Sequence, residues 1–275
     1  MNHNTMSKSI VELFYKNKSE YNETDFELFQ NFKNSLNIGE IRAVEFHDNQ
    51  WKVNEWVKLG ILLGFKMGII TVYNHSDFNF TDKHTYPVRK FSESDKIRLV
   101  PGGSAVRDGA YIGKNVTIMP PAYVNVGAFV DDNSMIDSHA LVGSCARVGK
   151  NVHLSAGSML GGVLEPINAK PVIVEDDVFI GGNCGIYEGV LVKNSAVIAA
   201  GVILTSGTPV YDSVNQLYIK KDDNYDALII PENAVVVAGS RTLKTNSDIN
   251  IYCPVIIKYR DSKTDKSIQL EQLLR

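Results

Sequence analysis

The stretch Val106-Arg-Asp-Gly-Ala-Tyr-Ile112-Gly-Lys-Asn-Val-Thr-Ile118-Met-Pro-Pro-Ala-Tyr-Val124 places an aliphatic residue at every sixth position. The series continues through Val130, Ile136, Val142, Val148, Leu154 and Leu160, and a second run reads Val174, Ile180, Ile186, Val192, Ile198, Leu204 and Val210. A small or β-branched residue follows four places after most of these, as at Ala110, Val116, Ala122, Ala128, Ser134, Ala140, Ala146, Val152 and Ser158. A period of six fits neither an amphipathic helix nor an alternating strand. Ordinary alternation would also put aliphatics two positions on, where the chain has Asp108, Lys114, Pro120, Asp132 and Ser138.

Six residues suit one facet of a triangular coil of short strands: one inward aliphatic, one small residue near the corner, three facets to a turn. Residues eighteen apart, such as Val106, Val124 and Val142, then stack along the interior. Each contributes about 1.5–3 kcal/mol of burial.

The fold class expected is therefore mainly β, with a small α/β domain before the coil (1–100), the coil itself (101–210) and a β/α cap (211–275). In the first part, Phe26, Phe29, Phe32 and Leu36 recur at helical spacing after Thr24, with a stop at Gly39. Ile41 to Val53 reads as a hairpin turning at Asp48-Asn49, and Asn54 as the cap of a helix carrying Trp56, Leu59, Leu63 and Phe65. The two runs are out of register, so residues 161–173 are expected to project as a loop of the kind that shapes binding sites. The period stops at Val210; Leu217–Lys221, Leu228–Val237 (turning at Pro231) and Ile251–Tyr259 read as strands, and Ile268, Leu270, Leu273 and Leu274 as a short closing helix.

Composition narrows the function. The 275-residue chain is 44% hydrophobic and 21% charged, with a formal net charge of −3. Only the pair Lys220–Lys221 is locally basic, which argues against nucleic acid or an anionic membrane as partner. Cys145, Cys184 and Cys253 have no metal-ligand spacing and are too few for a disulfide framework, so no metal and a reducing cytoplasm are expected. No apolar run approaches the roughly 18 residues of a membrane span, and the N-terminus lacks an apolar signal core. The six histidines, at 3, 47, 75, 84, 139 and 153, do not offer the spacing of a zinc hydratase site. The first hundred residues lack a phosphate-cradling glycine loop.

The six-residue period resembles the hexapeptide-repeat family, a resemblance that implies a left-handed parallel β-helix. Outside the period, Gln50-Trp51-Lys-Val-Asn-Glu-Trp56 with Lys58 and Leu62-Leu63-Gly-Phe65 resembles the N-terminal domain of the tetrahydrodipicolinate N-succinyltransferase family. The likeness continues through Arg98-Leu-Val-Pro101, Tyr123-Val-Asn-Val-Gly-Ala128, Gly149-Lys-Asn-Val-His-Leu-Ser155 and Gly161-Gly-Val-Leu-Glu-Pro166, the last two being the most specific.

That resemblance implies transfer of the succinyl group of succinyl-CoA, as a co-substrate and with no permanent cofactor, to the amine of ring-opened tetrahydrodipicolinate on the diaminopimelate route to lysine. It implies direct attack in a ternary complex and a homotrimer. Asp137, outward after the inward Ile136, matches the aspartate that holds and deprotonates the amine. Arg98 matches the arginine that captures a substrate carboxylate, with Arg107 as a second candidate. The small residues Gly181, Gly182, Ala199, Ala200, Gly201 and Ser206 suit a coenzyme A groove, with Lys244 or Lys220 for a phosphate.

Three departures bear on the site. Gly185 stands where many members carry a glutamate, with Glu188 as a possible substitute; Ser138-His139 replaces a common Thr-Trp; and Ser158-Met159 precedes the Leu-Gly-Gly loop. His139 and His153 are further candidates for the base, against corner residues that merely hydrogen-bond. Two alternatives stay open: an acetyl-CoA-dependent transferase on a related amino dicarboxylate, since pocket shape separates acyl groups by small free energies, and a coenzyme-A-binding scaffold without catalysis.

Overall fold

The computed structural model describes residues 3–74, 79–219, 221–222 and 225–260. From residue 98 onward, short strands pair in parallel with the coil before and the coil after, winding a left-handed β-helix of three facets. Facet I stacks Arg98–Leu99, Thr117–Ile118, Met135–Ile136, His153–Leu154, Phe179–Ile180 and Val197–Ile198. Facet II stacks Ala105–Val106, Tyr123–Val124, Leu141–Val142, Met159–Leu160, Gly185–Ile186 and Ile203–Leu204. Facet III stacks Tyr111–Ile112, Phe129–Val130, Arg147–Val148, Ile173–Val174 and Leu191–Val192. In every strand the second residue is the inward one, and all of these but the half-buried Leu99 at the open end are buried in one core.

The coil is longer at both ends than the period suggested. Arg98–Leu99 opens facet I before Val106. After an excursion over residues 205–228, Ile229–Ile230 returns to pair with Leu191–Val192, and Ala234–Val237 with Val197–Ile198. Ile230 and Val236 restore the six-residue spacing and are fully buried. Val210 is buried too, but its strand (Val210–Asp212) pairs with Leu217–Ile219 and with Val255–Tyr259, not with a coil. The strand expected over Ile251–Tyr259 is two strands, Asn246–Tyr252 and Val255–Tyr259. The break falls at Cys253-Pro254, where proline has no N–H for a ladder. Val255–Tyr259 runs antiparallel to Ala234–Val237 and covers the edge of facet I. Asn246–Tyr252 instead forms an arm with Ser240–Leu243. The closing helix expected near Ile268–Leu274 lies outside the described residues, as does Lys220.

Before the coil come α1 (His3–Tyr15), α2 (Glu23–Asn37), a hairpin of β1 (Val44–His47) and β2 (Gln50–Val53), α3 (Glu55–Met67), and a second hairpin of β3 (Ile70–Asn74) and β4 (Asn79–Lys83). α1 and the second hairpin were not anticipated. α2 starts one residue earlier than Thr24, because Asn22 and Asp25 form a reciprocal capping box. Phe29, Phe32 and Leu36 are buried as expected, whereas Phe26 in the first turn is exposed. Asp48 and Asn49 both take positive φ (53° and 59°), the geometry of a tight two-residue hairpin. Asn54 precedes α3 but does not cap it; its Nδ2 donates to Arg42 O at 2.8 Å. The buried face of α3 is Val57, Lys58, Ile61, Leu63 and Met67, with Trp56, Leu59 and Phe65 only half-buried.

Residues 161–173 lengthen one coil by eight residues, since Val148 pairs with Val174 across 26 positions instead of 18. They leave the coil as a loop that lies against the N-terminal domain. The side chain of Val163 is buried and Leu164 packs on the N-terminal core. The fully buried Lys58 of α3 donates to Ile167 O (3.0 Å) and Ala169 O (2.5 Å). An ammonium enclosed by carbonyls draws the loop onto the chain's own N-terminal domain, and burial holds its pKa below the usual lysine range.

Two stability outcomes follow. Leu154→Ala, in the middle of the interior, should cost about 2–5 kcal/mol by denaturant unfolding. Lys58→Met should cost about 1–3 kcal/mol through the carbonyls it strands; an unchanged midpoint would show that the loop holds its shape without the ammonium.

Candidate functional site

The corner between facets I and II collects most of the residues singled out above. One residue per coil takes a left-handed conformation there: His139, Gly157, Asn183 and Gly201. Each donates its N–H to the coil before: His139 to Pro121 O (2.6 Å), Gly157 to Ser138 O (2.9 Å), Asn183 to Ala156 O (2.9 Å) and Gly201 to Gly182 O (2.9 Å). This ladder stacks Asp137, Ser155, Gly181 and Ala199 in one column, beside Ser138, Ala156, Gly182 and Ala200 in the next. The column runs roughly 14 Å at about 4.8 Å per strand. Gly181 admits nothing larger, because a Cβ would lie 2.5 Å from Ala200 N.

Asp137 stands at the lower end of this strip of small residues. Its Oδ1 accepts from Ser138 N–H at 2.7 Å, and its Oδ2 lies 3.8 Å from Nε2 of His153, one coil on. The carboxylate is 30% exposed and the imidazole 12%. His153 is flanked on facet I by Met135 and Phe179, and its ring meets Phe179 edge-on at 5.2 Å. An accessible carboxylate with an imidazole at ion-pair distance can take a proton from an amine and share the charge that results. Sixteen positions separate the two residues in the chain; a coil of eighteen sets His153 over Met135, which places it diagonally from Asp137. His139 is an exposed corner residue with its backbone in the ladder.

The remaining candidates divide. Arg98 is exposed in the first strand of facet I, two coils before Met135. Arg107 is not free to receive a substrate: it pairs with Asp82 of β4, its Nε donates to Tyr86 O at 3.4 Å, and it lies over the rings of Phe65 and Tyr86. It fastens the N-terminal domain to the first coil. Glu188 and Ser206 fall on the other edge of facet II, at the corner with facet III, so the chain does not bring them to Asp137 or to the small-residue strip. Glu188 is exposed. Lys244 sits exposed at the turn of the C-terminal arm.

A cavity of about 320 Å³ lined by Phe29, Gln30, Lys33, His84 and Thr85 lies in the N-terminal domain and contains none of these residues. Among the described residues no three His, Cys, Asp or Glu side chains gather as a metal site, and no helix is long and apolar enough to cross a membrane. The cysteines are buried and free. Burial pushes the Cys145 thiol up to about 12, and those of Cys184 and Cys253 upward as well.

Comparison with known proteins fits this geometry. Residues 6–67 match the family signature "Tetrahydrodipicolinate N-succinyltransferase N-terminal", and residues 171–206 match "Hexapeptide repeat of succinyl-transferase". A 2,3,4,5-tetrahydropyridine-2,6-dicarboxylate N-succinyltransferase of Buchnera aphidicola subsp. Schizaphis graminum is 43% identical over 97% of this chain and 97% of its own length. The chain belongs to the tetrahydrodipicolinate N-succinyltransferase family. Enzymes of the same name from Rickettsia felis (46% identical, 88% of this chain and 86% of theirs) and Pasteurella multocida (44%, 87% and 85%) agree. Membership makes the chain an acyltransferase built on the hexapeptide repeat.

The state of the cysteines makes a simple check. At pH 8 burial keeps Cys145 in its neutral thiol form, and Cys184 and Cys253 are buried as well, so a disulfide reagent should leave the native protein unlabelled for many minutes and label three thiols once it is denatured. Fast labelling of the native protein would mean that the corners open.

Proposed function

We propose that this protein transfers the succinyl group of succinyl-CoA to the amine of ring-opened tetrahydrodipicolinate, in the diaminopimelate route to lysine, as a cytoplasmic homotrimer. The observation that carries the mechanism is the alignment of Asp137 with a strip of small residues on one corner of the coil. An extended thioester laid along Gly181, Gly182, Ala199, Ala200 and Gly201 would deliver its carbonyl toward Asp137. The carboxylate would take the proton as the amine attacks, with no covalent enzyme intermediate.

A single chain offers an open corner, with Glu188 and Ser206 on the far edge of facet II. A second copy packed on that facet would close the groove and bring its own Glu188 corner toward Asp137. The exposed outward residues of facet II, Tyr123, Met159 and Ile203, support such packing. Arg98, at the accessible start of facet I, is the group we assign to a substrate carboxylate, and Lys244 to a phosphate of the coenzyme.

The test is thiol release from succinyl-CoA and acetyl-CoA in parallel, with tetrahydrodipicolinate as acceptor. The succinyl donor should win, and Asp137→Asn should lower kcat by about 10²–10⁴-fold while the trimer persists. Preference for acetyl-CoA would change the donor assignment; full activity of Asp137→Asn would remove the base. Coenzyme binding without turnover by the unaltered protein would favour the scaffold reading.

A further inference from the structure

On facet II the outward column reads Ala105, Tyr123, Leu141, Met159, Gly185 and Ile203. Every position but 185 carries a side chain. The gap is filled from the corner, because Tyr187 folds its ring back over Gly185: a Cβ at 185 would lie 2.6 Å from Tyr187 Cε2 and 2.9 Å from its hydroxyl oxygen. Gly161, in the coil before, clears the other side of the same bed, since a Cβ there would meet Tyr187 Cδ1 at 3.0 Å. Gly185 is thereby buried although it belongs to an outward column, and Tyr187 is half-buried. The ring lies over Gly161 and Gly185, yet none of the described residues hydrogen-bonds its hydroxyl.

A clamped aromatic ring whose hydroxyl is held by none of the described residues is a preorganised hydrogen-bond donor on a largely apolar facet. The outward side chains of the neighbouring strands, Met159 and Ile203, are apolar, the Tyr252 hydroxyl beside Ile203 accepts from its backbone N–H, and Glu188 follows Tyr187 at the corner. We propose that Tyr187 is a substrate-contacting residue whose phenol O–H donates to a substrate carboxylate, occupying the place left by the missing side chain at Gly185. The proposal rests on the acyl-transfer reading above, in which facet II of one copy faces the Asp137 corner of another. A neutral donor there suits substrates that are both anionic, whereas a second carboxylate would repel them. Two sources supply the carboxylate: the dicarboxylate acceptor and the free end of the succinyl group.

Tyr187→Phe keeps the ring and removes only the donor. If the acceptor is bound, its KM should rise about ten-fold or more with the KM for succinyl-CoA unchanged. If the succinyl end is bound, the preference for succinyl-CoA over butyryl-CoA, which lacks that carboxylate, should fall by a similar factor. Gly185→Ala, whose methyl displaces the ring, should reproduce whichever change is seen. Both variants should keep the trimer, and Tyr187→Phe should keep the thermal midpoint. Identical KM values and donor preference in the unaltered enzyme and Tyr187→Phe would overturn the proposal, as would a lowered midpoint with unchanged kinetics. Turnover by the unaltered enzyme in the same assays tests the acyl-transfer reading separately.

Discussion

A strand of two residues has no stability of its own, and the coil of this protein is built almost entirely of such strands. Each is held by parallel hydrogen bonds to the coil before and the coil after, so the stack exists only as a whole. Interior columns such as Ile118, Ile136, Leu154, Ile180 and Ile198 supply the apolar burial that makes stacking favourable. The same stacking imposes discipline at the corners, where one residue per coil adopts a left-handed conformation and donates to the coil before. Corners therefore line up residues from distant parts of the chain with the regularity of a ladder. The strip from Asp137 to Gly201 is a consequence of that regularity.

The N-terminal domain decides which surfaces remain open. β1 and β2 pack on facet III, where Arg42 and Arg147 lie over Phe129 at 4.1 and 4.5 Å and Trp51 donates to Glu175 at 2.8 Å. α2 reaches the first coil through Lys33 and Asn37, both on Asp108 (2.8 and 2.6 Å). α3 covers the corner between facets II and III, where Val126 and Cys145 join its core and Lys58 draws in the loop. With facet III and the lower part of that corner occupied, the described residues leave most of facet II and its corner with facet I uncovered, apart from its last strand, where Ile203 N–H donates to the Tyr252 hydroxyl of the C-terminal arm at 2.6 Å. The surface proposed to meet substrate and a second copy is thus selected by where the N-terminal domain docks.

The six-residue period, the inward columns, the hairpin at Asp48-Asn49 and the family resemblance are all legible in the chain, because each depends on residues close in sequence. A period of six states which side chains point inward, whatever else happens. Asp137 was legible for the same reason, as the outward neighbour of Ile136. Tertiary structure decided the rest, since outward residues meet according to coil offset, insertions and docking. It paired Asp137 with His153, gathered the glycines and alanines on the same corner, and set Glu188 and Ser206 on another. It tied Arg107 to Asp82, turned residues 161–173 onto Lys58, and resumed the period at Ile230 after twenty extra residues (Val192 to Ile230 spans 38 positions against 18). Tyr187 shows the division most plainly: Gly185 reads as an absence along the chain, and only the direction of a side chain two residues away shows what stands in its place.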